Sequence, residues 1–161
     1  MDGVRIRPLD LLVFALVAGL ALYAFSALRR HSTGAAILAS PTLTPGVTNP
    51  DVTQATIRRT ICVRGWTATV RPPASYTSQL KVQQLAEFHL PGPPSAYQED
   101  HLISLEIGGN PTDPRNLWPE PYPRAAQVDK IENQLNAAVC SGKLTLAKAQ
   151  RKEAALKHEH G

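Results

Sequence analysis

A chain of 161 residues, 43% hydrophobic and 19% charged, has room for one modest domain and excludes a multidomain assembly. Two cysteines exclude a disulfide-dense scaffold, and a formal net charge of +4 excludes a polybasic tail. Fourteen prolines and ten glycines stay below the roughly 25–30% of low-complexity disorder and predict turns and short elements.

Residues 1–10 are a short segment carrying Arg5 and Arg7. Residues 11–28, LLVFALVAGLALYAFSAL, run for eighteen residues without a charge, roughly 27 Å as a helix and enough to cross a bilayer. A cleaved signal peptide has a shorter apolar region of about 7–15 residues and a small-residue cleavage site; here Arg29 and Arg30 follow at once, which favours a retained anchor. Positive charge on the two sides is balanced, so charge alone leaves the orientation open. The uncharged stretch 32–50, rich in Ser, Thr, Pro, Gly and Ala, predicts a flexible linker over 29–50, with the folded domain covering 51–157.

Within that domain, 51–57 opens with Asp after Pro and predicts one or two helical turns. The β-branched residues Thr60, Ile61, Val63, Thr67, Thr69 and Val70 predict a short strand broken at Gly65 and stopped by Pro72 and Pro73. A helix capped by Thr77 or Ser78 is predicted to run to Phe88. In 97–122, the apolar run Leu102, Ile103 and Leu105 gives way to Gly108, Gly109 and Asn110 and then to Asn116, Leu117 and Trp118, a strand, long turn, strand pattern. Val128, Ile131, Leu135, Ala138 and Val139 predict a helix over 124–139 with Gly142 at its C-terminal cap, and a last helix is predicted over 146–157. The fold class is therefore α+β.

The chemistry concentrates at Asp100 and His101. Adjacent side chains on a strand face opposite sides, so the two can serve one phosphate only where the backbone bulges or begins to turn. In that arrangement Asp100 is a candidate oxygen ligand to a divalent ion, and His101, which titrates near neutrality, is a candidate base for an attacking water. Asn116 is a candidate for fixing the loop or the imidazole by hydrogen bonds.

DHLISLEIGG followed by NLWPEPY resembles the HNH endonuclease superfamily. With TICVRGWTATVRPP and YTSQLK upstream and DKIENQLNAAVCSGKLTLAKAQ downstream, the chain is similar over about residues 50 to 151 to exported or membrane-anchored bacterial HNH-like proteins. The resemblance implies a small ββα-metal domain with flanking helices, Asp100 as metal ligand, His101 as general base and Asn116 as the residue that steadies the hairpin. It implies a divalent cation, Mg²⁺ foremost and Mn²⁺ or Zn²⁺ as alternatives, and no organic cofactor. The family's final helix histidine is absent, since no histidine lies between Asn116 and Cys140. Asp129 is the substitute ligand expected, with Glu120 and Glu132 as alternatives, and water completing the shell of a hard ion.

Arg58, Arg59, Arg64, Arg71 and Lys81 face only Asp51 and Glu87 between 51 and 90, a candidate nucleic-acid face of low sequence specificity. Cys62 and Cys140 either form one disulfide or are two buried thiols. A bridge places the domain on the extracytoplasmic side of the membrane. The sequence thus predicts a single-pass membrane protein carrying a metal-dependent endonuclease that hydrolyses DNA or RNA. The alternative is a catalytically inactive HNH-like module binding nucleic acid or an anionic envelope polymer.

Overall fold

Two short strands and four α-helices form the regular structure of residues 37–159, the part of the chain that the computed structural model describes. The predicted 1–10 segment and the apolar run 11–28 lie outside the described residues. Among the described residues, no helix is long and apolar enough to cross a membrane. The helices are α1 (Trp66–Val70), α2 (Ala74–Glu87), α3 (Arg124–Cys140) and α4 (Leu146–Glu159). Strands β1 (Tyr97–His101) and β2 (Leu117–Pro121) pair antiparallel, with Asp100 opposite Trp118 and Gln98 opposite Glu120. The coarse reading as α+β stands.

Two local expectations give way. The segment 60–70 is no strand: it forms turns and then α1, entered through Gly65 at φ 83°. The β-branched residues find no partner strand to pair with, and packing of Trp66 against the core overrides their propensity. The second helix starts at Ala74, with Pro73 as its N-cap. Proline supplies the extended backbone that precedes a first turn, leaving Thr77 inside the helix, where its hydroxyl donates to the Ala74 carbonyl.

The linker expected over 29–50 also changes character. From residue 37 onward it lies on the domain: Ala39 and Thr44 are buried, Gly46 N–H donates to the Arg115 carbonyl, Asn49 N–H to Gly108, and Thr48 bridges Gly109. Its low charge, which suggested a tether, is what lets its backbone pair with the β1–β2 loop without burying ions.

The main core joins Val52, Ile57, Ile61, Ile103, Ile107 and Leu135 with the apolar ends of α3 and α4. A smaller cluster of Ala39, Leu102 and Trp118 lies beside the ribbon. The stripe that α3 buries is Ala125, Val128, Glu132, Leu135 and Val139, and α4 buries Leu146, Ala149, Glu153 and Lys157. Helical spacing therefore carries three ionisable side chains into the interior along with the apolar ones.

Cys62 and Cys140 are bridged, with their Cα atoms 5.6 Å apart across a separation of 78 residues, which fastens the segment before α1 to the end of α3. Chain entropy values such a closure at about 4 kcal/mol. Urea unfolding of the reduced protein against the oxidised one is expected to show a loss of about that size; equal midpoints would mean that the bridge constrains nothing.

Candidate functional site

The β1–β2 loop is held by one side chain. Asn116 is fully buried, where its Oδ1 accepts from Val47 N–H (3.2 Å) and Ile103 N–H (3.0 Å), and its Nδ2 donates to the Ile103 carbonyl (3.0 Å) and the Asn110 carbonyl (2.9 Å). An amide side chain has two donors and room for two bonds at its oxygen, so Asn116 is saturated. The loop also needs glycine at 109, because a Cβ there would run into the Ile103 carbonyl. Next to Asn110 stands Pro111, whose carbonyl lies 3.1 Å from His101 Nε2. A carbonyl only accepts, so Nε2 carries the proton and Nδ1 holds the free lone pair. Burial pushes the His101 pKa below its ordinary 6.5, against the raising pull of the Pro111 carbonyl and Asp100. The ring is a neutral base at pH 7. Asn116 thus orients the imidazole indirectly, through the loop.

Asp100 has a different partner. Its Oδ2 lies 2.9 Å from the ammonium of Lys157, which reaches in from α4 and also donates to Glu132 Oε1 (2.9 Å) and to the His101 carbonyl. Glu153 Oε1 is 3.7 Å from the same nitrogen, while its Oε2 accepts from Ser104 N–H at 2.9 Å. Glu120 is fully buried, and its carboxyl shares a hydrogen bond with Asp100, the proton lying on Glu120. It lies on the Asp100 face of the ribbon, as the cross-strand register dictates.

Burial works against the Asp100 charge, but the Lys157 ammonium outweighs it and holds the pKa down at about 2. Glu120 is pushed up to about 9 by burial and by the neighbouring Asp100, and Glu132 to about 9 mainly by burial, with Lys157 opposing. Burial alone would lower Lys157; Asp100, Glu153 and Glu132 raise it well above its usual value. At neutral pH Asp100 is ionised beside the ammonium while Glu120 and Glu132 retain protons; burial pushes Glu153 up as well, against Lys157 and the Ser104 N–H.

The sequence expectation placed Asp100, as ion ligand, and His101, as base, together at one phosphate. They instead take separate partners, Lys157 and Pro111, as the alternation of a regular strand requires where no bulge intervenes. Asp129, the expected second ligand, is exposed on α3; Glu132, on the buried stripe, is the acid that α3 delivers to this cluster. Among the described residues, no three His, Cys, Asp or Glu side chains are grouped as metal ligands. With Asp100 neutralised by an ammonium at hydrogen-bond distance, the donor set as arranged does not fit the divalent ion that the resemblance implies.

Of the basic residues, Arg58, Arg59, Arg64 and Arg71 are exposed. Arg71 lies close enough for its charge to act on His101, Glu106 and Asp129. Lys81 is spent on structure, its ammonium donating to the Tyr97 carbonyl at 3.0 Å and tying α2 to β1. Sequence reasoning missed Lys157 and Glu153. Their signal was present as i, i+4 charges continuing the apolar spacing of Leu146 and Ala149.

Compared with family models, curated proteins and solved structures, the chain matches none.

Asn116→Ala removes four bonds and leaves the Ile103 amide and carbonyl unpaired, so a loss of about 3–5 kcal/mol is expected in denaturant unfolding; a change under about 1 kcal/mol would show that the loop does not depend on it.

The cluster also sets a pH dependence. Glu120 and Glu132 keep their protons to about 9 when folded, against an ordinary value of 4.5. Their contribution is therefore complete below 4.5 and is lost as pH rises to about 9, while that of Asp100 is lost only as pH falls from 3.8 to about 2. The melting temperature is expected to fall steadily from about pH 5 to about pH 9, and Glu120→Gln, neutral at every pH, to flatten that fall. An unchanged slope would remove Glu120 from the account.

Proposed function

We propose that residues 37–159 form an HNH-like domain that binds nucleic acid through its phosphates, carried at the membrane by the apolar run 11–28 and facing the extracytoplasmic side. The observation that carries this reading is the segment 58–71. It bears four exposed arginines, is fastened to α3 by the Cys62–Cys140 bridge, and ends at Arg71 within electrostatic reach of His101. Guanidinium groups pair with phosphate oxygens bidentately and with little sequence preference. The likeness to the HNH frame rests on the strand, long loop, strand, helix order of 97–140 and on Asn116 holding that loop. The bridge favours an oxidising compartment.

Lys157 weighs against hydrolysis through a divalent ion at Asp100, because that carboxylate is already neutralised from within. A second reading, hydrolysis of the bound phosphodiester, is favoured by His101: its tautomer is fixed by Pro111, and a neutral Nδ1 is the atom that would take a proton from an attacking water. Arg71 would then offset the charge developing on the phosphate.

One experiment separates these readings. The full chain is titrated with a DNA duplex by anisotropy at several salt concentrations and incubated with plasmid in Mg²⁺, Mn²⁺ or EDTA. Each arginine replaced by alanine is expected to lower the slope of log K against log salt by about 1, with no nicking by wild type or His101→Ala. Nicking that falls at least ~100-fold in His101→Ala establishes the second reading. Equal binding by wild type and a variant lacking all four arginines overturns the first, as does binding of an anionic glycan in preference to DNA.

A further inference from the structure

Between the arginine-bearing segment and α3 lies a cavity of about 280 Å³. Its walls include Arg64 and Thr67 on one side, Glu106 of the Leu105–Ile107 turn, and Asn133, Asn136 and Cys140 of α3, the last three spaced so that they share one helical face. Two fastenings hold these walls together without a ligand. One is the Cys62–Cys140 bridge; the other is the Asn136 amide, whose Nδ2 donates to the Ile61 carbonyl at 3.2 Å and to the Glu106 carbonyl at 2.6 Å. A site built in this way is formed before anything binds.

The lining chemistry selects an occupant. Burial pushes the Glu106 carboxyl up, Arg71 pulls it down and Asp129 adds to the rise, so this wall is acidic and repels a phosphate. With both of its N–H groups spent, Asn136 has only Oδ1 left to offer, and that atom has no partner among the described residues. Such acceptors call for a ligand rich in N–H donors, while the exposed Arg64 stands at the rim, where a phosphate can pass in solvent. The volume lies at the small end of ligand pockets, which run from roughly 300 Å³ upward, and suits one flat heterocycle. A concave site cannot reach base edges on the floor of a duplex groove, so it takes a base that is already unstacked. Guanine alone among the bases carries adjacent donors, N1–H and the 2-amino group, on its Watson–Crick edge, the pattern that a carboxylate and an amide oxygen match.

We propose that this cavity is a nucleobase subsite that receives one unstacked guanine of a single strand, its N1–H and 2-amino group donating to the Glu106 carboxylate and Asn136 Oδ1 while the flanking phosphates lie along the arginines. The proposal rests on the nucleic-acid reading and deepens it: the arginines supply affinity without sequence preference, and the cavity adds a preference at one nucleotide.

The test titrates the full, oxidised chain by anisotropy with a labelled all-thymine DNA strand, with the same strand carrying one central guanine, and with each strand annealed to its complement. The guanine strand is expected to bind at least about fivefold more tightly than the all-thymine strand, and the difference to vanish between the two duplexes, where the guanine edge is already paired. Glu106→Gln, which turns one acceptor oxygen into a donor, is expected to bring the guanine strand to within about twofold of the all-thymine strand. In nitrogen-15 NMR spectra of wild type, the guanine strand is expected to shift the side-chain amide signals of Asn133 and Asn136, and the all-thymine strand to leave them in place. Salt-dependent binding of equal strength to both strands overturns the subsite and leaves the arginine reading standing. A guanine preference that survives Glu106→Gln also overturns the subsite. Absence of binding to every strand and duplex overturns both.

Discussion

The arrangement of the whole domain turns on a single desolvated charge. Transferring an ammonium to the interior costs several kcal/mol unless its protons are matched, and Lys157 matches them with a carboxylate, a carboxyl and a backbone carbonyl. Those partners belong to β1 and α3, and the lysine itself to α4, so three elements separated by up to 57 residues must arrive together or leave a charge stranded. Removing one member of such a set commonly costs about 3–5 kcal/mol, a large part of the stability of a domain this size.

That constraint explains the shape of the neighbouring chemistry. Because Asp100 is spoken for on one side of β1, His101 is organised separately, by a loop whose geometry descends from Asn116 through Asn110 to Pro111. Under the proposed function that frame would serve either to present the four exposed arginines or to hold a neutral imidazole base. The segment 37–50 contributes to both by pairing with the same loop. The disulfide joins the arginine segment to the C-terminal end of α3. The helix α3 is thereby held by interactions of different kinds, a covalent link at Cys140 and a buried contact between Glu132 and the Lys157 ammonium at its middle.

The protonation balance follows from the same count. Four acids around one base cannot all ionise in a low-dielectric interior, so Glu120 and Glu132 retain protons. Asp100 ionises most readily because it accepts from both the Lys157 ammonium, at 2.9 Å, and the Glu120 carboxyl. The acid that catalytic readings single out is thus the most completely neutralised member of its group.

The sequence by itself determined the α+β class, the strand, long turn, strand order of 97–122, the helices predicted over 124–139 and 146–157, and the possibility of the Cys62–Cys140 bridge, and it singled out Asp100, His101 and Asn116 as candidates. These are legible because local spacing, turn residues and motif order act over short distances along the chain. It misread 60–70, where β-branched residues without a partner strand yield to helix, and 37–50, where absence of charge signified packing rather than freedom. Only the tertiary structure decided that Asp100 would meet Lys157, 57 residues away, instead of sharing a partner with His101. The physical reason is that a side chain's partner depends on which helical stripe is buried against it. Glu132, Glu153 and Lys157 lie on such stripes, and the company they keep there is set by the docking of α3 and α4 on the ribbon, which no local pattern specifies.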